Sequence, residues 1–201
     1  MPDYPWIKSY DQGIPHTLAP YPRQTLLDVV ADTVRQRPQH TAVIFKGAKL
    51  PYAQLERLSN AFAAALVAEG VKKGDRVALL LPNCPQAIIA QLGTWKAGAI
   101  CVGINPLYTA HELTHALSDC GAETAVVLTP FYEKMKSLQP QTRLRRIVAT
   151  NIKEYLPPIL RFLFTLFKEK KEGHRVALQP GDMRMSSLLQ RHMDTGRPQV
   201  S

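Results

Sequence analysis

The chain is poor in the residues that announce chemistry. Its three cysteines, Cys84, Cys101 and Cys120, are separated by 16 and 18 residues with no CxxC pair, which supports neither a disulfide framework nor a zinc knuckle. All three lie in apolar segments, where cysteine acts as a small buried hydrophobe in a reducing compartment. There is no GxxxxGK followed by Ser or Thr and no GxGxxG after a strand, so the two common glycine-rich phosphate cradles are excluded. No Ser, His and acid set sits on a strand-to-helix elbow. The opening MPDYPWIKSYD carries early acid and proline and no apolar core, unlike a signal peptide, and implies a cytoplasmic start.

What is present describes an ordinary core. A hydrophobic fraction of 45 % over 201 residues suffices for one domain or a large part of one and argues against disorder. The net charge of +9 is local: residues 134–201 hold 14 basic and 5 acidic side chains, whereas residues 1–133 balance at 11 of each. Arg143, Arg145 and Arg146 are clustered, but no aromatics are interleaved with them and no binding module matches, which excludes nucleic acid as the partner.

Periodicity orders the elements. Residues 1–24, rich in Pro and Tyr, form an extended arm. Thr25 and Asp28 make a capping box for a helix with Leu26, Leu27, Val30 and Val34 on one face, ended by Pro38. A hairpin follows over 41–50 with its turn at 46–49. A long Ala-rich helix then carries Leu55, Leu58, Phe62, Ala65 and Leu66 to Gly70. The run 76–81 is too continuously apolar for a half-exposed strand and reads as a parallel strand buried on both faces. Asn83 caps the next helix, with Gln86 at the box position and Ile88, Ile89, Leu92 and Trp95 inward. Residues 99–104 form the next buried strand. Thr109 and Glu112 cap a helix ending at Gly121, and further strands fall at 124–129 and 146–149. Alternating strands and helices define an α/β fold with a mostly parallel sheet flanked by helices. Residues 25–150 form this unit, 151–172 an apolar and basic segment, and 173–201 a polar irregular tail with one short helix near 185–191.

Two stretches invite chemistry. His111, Glu112 and His115 spell HExxH, a zinc pattern when it lies on a helix. Here Glu112 is already the capping partner, the helix is short, and no third ligand stands at a suitable spacing, so the stretch reads as a solvated face. In the second, an apolar run from Leu156 to Phe167 is followed by Lys168, Lys170 and Lys171. About a dozen residues interrupted by Arg161 fall short of the ~20 needed to span a bilayer. The pattern suits an anchor on an anionic membrane surface through Phe162 and Phe164, and equally a helix that covers a core or a partner.

Two ordered motifs supply a resemblance. LPYAQL over 50–55 and WKAGAICVGIN over 95–105 resemble the first two core motifs of the acyl-adenylate-forming (AMP-binding) ligases. NPLYT over 105–109 with Glu112 and Leu113, and the arm residues Trp6, Tyr10, Pro20 and Tyr21, look most like bacterial long-chain fatty acid:CoA ligases. The resemblance covers about residues 25–127. It implies part of that family's large N-terminal domain, with the sheet incomplete, and a reaction that uses ATP, Mg2+ and CoA to convert a fatty acid through acyl-adenylate to acyl-CoA. The family's ATP-binding loop would lie beyond the tail, so the chain alone is expected to be inactive, as a truncated or split product. A peripheral place at the inner face of the membrane and poor solubility without a partner accompany that expectation. No position matches a catalytic, cofactor-binding or metal-ligating residue, and none is assigned. The rival reading is a non-catalytic α/β module that docks on a membrane or a protein partner.

Overall fold

A computed structural model describes residues 4–200; residues 1–3 of the arm, and Ser201, lie outside the described residues. The arm, 4–24, has one helical turn at Pro5–Ser9 and buries none of its side chains. Helix α1 (Leu26–Gln36) starts at the expected box. The Thr25 hydroxyl accepts from the Asp28 amide, and the Asp28 carboxylate accepts from the Thr25 amide at 2.8 Å. Leu27 and Val30 meet the core, whereas Leu26 is 67 % exposed. The inward stripe therefore starts one residue later than the sequence spacing suggested.

Strands β1 (Thr41–Phe45) and β2 (Ala48–Pro51) form an antiparallel hairpin. Its two turn residues, Lys46 and Gly47, have φ of 50° and 90°, the primed geometry that matches strand twist. Helix α2 (Tyr52–Ala68) buries Ala61, Phe62, Ala63, Ala65 and Leu66. It packs on α3 (Pro85–Lys96) backbone against backbone: a Cβ at Gly93 would stand 2.7 Å from Phe62 Cδ1 and 3.0 Å from the Ser59 carbonyl. Only glycine permits that approach.

Strands β3 (Arg76–Leu80), β4 (Ile100–Gly103), β5 (Thr124–Leu128), β6 (Arg146–Thr150) and β7 (Met183–Arg184) make a parallel sheet in the order β4-β3-β5-β6-β7. Strand alternation divides the core in two. Val77, Leu79, Val126 and Val148 meet α2, α3 and α7 (Met185–Arg191), while Ala78, Leu80, Val127 and Ile147 meet α4 (Ala110–Cys120) and α5 (Tyr132–Leu138). Arg76 joins strand to helix, its Nε donating to the Cys120 carbonyl at 2.9 Å and its Nη2 to Gly121 at 3.1 Å. Cations at a helix C-terminus satisfy carbonyls that the helix leaves open.

Three sequence expectations are corrected. Strand β4 is not buried on both faces: it pairs with β3 alone, and Ile100 is 51 % exposed at the sheet edge. Asn83 does not cap α3, whose cap position is Cys84 and is not closed by a side chain. Gln86 instead goes inward, and its amide donates to the Asn151 carbonyl at 2.9 Å. Finally, 173–200 is not irregular throughout. The expected short helix is present as α7, burying Met185, Leu188 and Leu189, and β7 is added to the sheet beside it.

Candidate functional site

Doubly wound sheets bind ligands outside the carboxyl ends of their strands, where the winding reverses. The reversal falls at β3. The chain goes through α3 to β4 on one side, and α4 then carries it past β3 to β5 on the other. At those ends lies a cleft of about 610 Å³, within the ~300–1,000 Å³ usual for small-molecule sites. Pro82 follows β3 and Leu128 ends β5. Phe45 and Lys46 come from the hairpin, and Leu156, Leu160, Leu163, Phe164 and Phe167 from the apolar segment. A depression of similar size, about 600 Å³, runs along α5 past Glu133, Lys136 and Gln139. Apart from Pro140, the side chains that line it are polar.

The apolar segment is built as helix α6 (Pro158–Leu163) continued by a π-helical turn, Phe164–Lys168. Such turns widen a helix and are frequent at functional sites. Positions 156, 160, 163 and 167 line the cleft, while Ile159, Phe162 and Leu166 stand 76 %, 64 % and 59 % exposed. Phe164 is buried, edge-on to His174 at a ring separation of 5.1 Å. The sequence-based pairing of Phe162 with Phe164 as a membrane contact is therefore corrected, because only Phe162 faces outward.

A polar network supports the segment from below. The Asn151 side-chain amide donates to Glu169 at 3.0 Å and to the His174 carbonyl at 3.2 Å, and Glu154 accepts from the Asn151 amide and the Thr150 hydroxyl. Lys153 pairs with Glu169 at 2.6 Å. His174 Nδ1 bonds the Thr129 hydroxyl at 3.0 Å. Burial holds the His174 imidazole below its ordinary pKa of 6.5, opposed by the carboxylates of Glu172 and Glu169. The folded chain keeps this ring neutral where the unfolded chain has begun to bind a proton. Its contribution to stability is thus present above pH 6.5 and is lost as pH falls below it. Between about pH 7 and about pH 5.5 the Tm of the chain is expected to decline, and His174→Gln to flatten the decline. An unchanged slope in the variant would refute the assignment.

The sequence-derived HExxH is placed on the surface. His111, Glu112 and His115 are all exposed on α4, and the Glu112 carboxylate accepts from the Thr109 amide at 2.7 Å and from its hydroxyl at 2.8 Å. Those bonds hold Glu112 below the usual carboxylate range. Among the described residues no group of three His, Cys, Asp or Glu is placed to hold a metal ion. Cys84 and Cys101 have thiols pushed up by burial, the condition of unreactive structural cysteines. Sequence reasoning missed a buried lysine. Lys96 at the end of α3 is 4 % exposed and donates to Glu56 at 2.8 Å, Ser59 at 2.7 Å and Asn60 at 2.8 Å, all on α2. The signal available was the polar set at 56, 59 and 60, one face of an otherwise Ala-rich helix.

The sheet order and the cleft at its reversal define an α/β scaffold of the ligand-binding class. The chain belongs to the AMP-binding enzyme family, whose description matches residues 30–185. The long-chain-fatty-acid–CoA ligase of Bacillus subtilis (strain 168) is 37 % identical over 167 residues, 83 % of this chain and 30 % of that one. The Haemophilus influenzae protein of the same name is 36 % identical over 152 residues, 75 % and 27 % of the two chains. Among solved structures, the anthranilate CoA ligase AuaEII in complex with anthranoyl-AMP superposes with a TM-score of 0.69 at 22 % identity, over 87 % of this chain and 29 % of that one. A long-chain-fatty-acid-CoA ligase (FadD1) from Archaeoglobus fulgidus gives 0.67 at 22 %, over 96 % and 33 %. These likenesses establish the shared fold. The chain spans about 30 % of the length of the curated relatives it matches.

The family implies ATP and CoA, and the sequence resemblance adds Mg2+. The described residues do not fit the nucleotide or its metal. No glycine follows β3, β5 or β6, and the amide at the end of β6, that of Asn151, is already spent on Glu154. These three strand ends therefore present no amide nest for phosphates, and no step of the reaction is derived through these groups. No helix among the described residues is long and apolar enough to cross a membrane.

Proposed function

We propose that the chain is the scaffold portion of a long-chain fatty acid:CoA ligase. In that reaction the carboxylate and ATP give acyl-adenylate and pyrophosphate, and the CoA thiol then displaces AMP. The observation that carries this reading is the 37 % identity to a long-chain-fatty-acid–CoA ligase over 83 % of the chain. The chain itself supplies the parallel sheet, the reversal point and the cleft, and other residues supply the groups that stabilise charge in the transition state. By itself it forms no acyl-adenylate. Pyrophosphate release from palmitate, ATP and CoA is expected to be nil for this chain. Acyl-CoA formation is expected from a chimera in which the chain replaces the matching 30 % of the Bacillus subtilis relative. A folded but inactive chimera would instead favour a non-catalytic docking module.

The same reading places the protein at the inner face of the membrane, the source of an insoluble substrate. Support comes from the outward face of α6 and its π turn, where Ile159, Phe162 and Leu166 are exposed beside Lys168, Lys170 and Lys171. Apolar side chains beside a basic cluster suit an anionic interface. Sedimentation with vesicles containing phosphatidylglycerol is expected to carry the chain down at low salt, and Phe162→Ser with Leu166→Ser to abolish this. Equal sedimentation of the double variant would refute the contact.

A further inference from the structure

We propose that His174 is the catch of an acid-released anchor. When its ring takes a proton, helix α6 and its π turn detach from the strand ends, and Phe164 joins the apolar face turned to an anionic membrane. The inference deepens the membrane reading, and rests on it only for what the freed segment meets.

Three observations carry it. The first is how little holds the segment. From 158 to 168 only Phe164 is buried, and it meets the His174 ring edge-on. The backbone bonds at the segment's two ends stay local: the Arg161 amide donates to the Pro157 carbonyl and the Glu169 amide to the Phe164 carbonyl, each at 2.8 Å. Its side-chain bonds are local too, from the Thr165 hydroxyl to the Arg161 carbonyl and from Lys168 to Glu172. Among the described residues no hydrogen bond ties it to a strand. The chain just beyond is gripped, because Asn151 and Lys153 both hold Glu169. The contact between Phe164 and His174 is therefore the fastening of a stretch whose far end is fixed.

The second observation is where the ring stands. His174 is 6 % exposed, and among the described residues its one side-chain hydrogen bond is that between Nδ1 and the Thr129 hydroxyl. The charged groups around it are matched or positive. Glu169 is paired with Lys153 and Glu172 with Lys168, while Glu154 accepts from Thr150 and Asn151. Lys46 and Lys168 stand on the same cleft wall, and the end of β5, residues 128–130, brings no titratable side chain. A proton on the ring thus adds a buried charge with no carboxylate bonded to it, which is costly. Burial outweighs the attraction of Glu172 and Glu169 and holds the ring below its ordinary 6.5. Opening hydrates the imidazolium, so protonation and release favour each other.

The third is what release presents. Ile159, Phe162 and Leu166 are exposed already beside Lys168, Lys170 and Lys171, and Phe164 enlarges that apolar face next to its basic cluster. An anionic surface also supplies the trigger. Its potential of about −30 mV concentrates protons roughly threefold, so the ring is protonated more readily there than in bulk solution. The lysines and the histidine then respond to one and the same surface.

The test is limited chymotrypsin digestion of the full chain at about pH 7.5 and about pH 5.5, each rate corrected with a short synthetic substrate at the same pH. Cleavage after Phe162 and Phe164 is expected to rise up to about tenfold, because a hydrated imidazole is roughly 90 % protonated at the lower pH. Core sites such as Phe62 and Tyr132 should stay resistant. His174→Gln, which keeps a partner for Thr129, should abolish the rise, and Phe164→Ser should make cleavage after Phe162 fast at both pH values. In the unaltered chain the His174 ring should titrate below 6.5 in proton NMR, a reading that needs no variant. The proposal is overturned by pH-independent cleavage, by a rise that persists in folded His174→Gln, by a ring that titrates at or above 6.5, or by equal loss of resistance at the core sites. Sedimentation with phosphatidylglycerol vesicles should gain more from acid in the unaltered chain than in His174→Gln. Acid-released cleavage without added sedimentation would sink the membrane reading alone. Added sedimentation without such cleavage would sink the catch alone.

Discussion

Asp182→Ala is expected to cost about 3–5 kcal/mol of stability, the range for breaking a buried charge pair. The carboxylate is 1 % exposed and accepts three bonds: the Tyr132 hydroxyl at 2.7 Å, the Lys136 ammonium at 2.7 Å and the Ile147 amide at 3.1 Å. Removing it strands an interior phenol, a largely covered ammonium and a strand amide together. Burial, followed by the Asp182 carboxylate, pushes the Tyr132 phenol up to about 12, so no ionisation of that ring compensates at ordinary pH. Asp182 also directly precedes β7, and its loss should loosen β7 and α7. Urea unfolding followed by circular dichroism measures the cost. Asp182→Asn, which keeps an acceptor, should lose less than Asp182→Ala, and equal losses would contradict the bonding assignment.

Lys96→Ala is expected to cost about 3 kcal/mol, the lower end of that range, because Glu56 retains 25 % of its side-chain exposure and can turn to water. For a chain of this size that is a fall in Tm of roughly 6–12 °C. Burial lowers the Lys96 pKa, and the bond to Glu56 works against that shift. The ammonium is thus the less comfortable form inside the fold, and its three bonds to α2 are what hold it there. Lys96→Met keeps the stem that fills the gap between α2 and α3 and should recover part of the loss. A Met variant no better than Ala would mean that the bonds matter and the packing does not.

The parts of this fold legible in the sequence are those decided by neighbours. The capping boxes at Thr25 and Thr109 each need two residues three apart, and both form. The apolar run of β3 announces a central strand because its burial comes from both faces at once. β4 reads the same way but ends at the sheet edge, since composition records how apolar a strand is and not which strand it lies beside. Asp182 was invisible for a similar reason: its partners stand 35, 46 and 50 residues away. The cleft draws on the hairpin, two strand ends and a distant helix, so its residues meet only once the winding order is known. The segment 156–167 was recognisable as apolar, but its division into two faces depends on where the sheet lies.

That segment has an energetic standing of its own. From 158 to 168 Phe164 is the one buried side chain, set against His174, while the strands behind it are enclosed on both sides. Stability within a protein is distributed by such contacts, and poorly anchored stretches open well before the whole unfolds. With the sheet intact, the helix and its π turn are thus expected to open as a small unit. Its amide protons would exchange with solvent by a route that leaves β3, β5 and β6 protected.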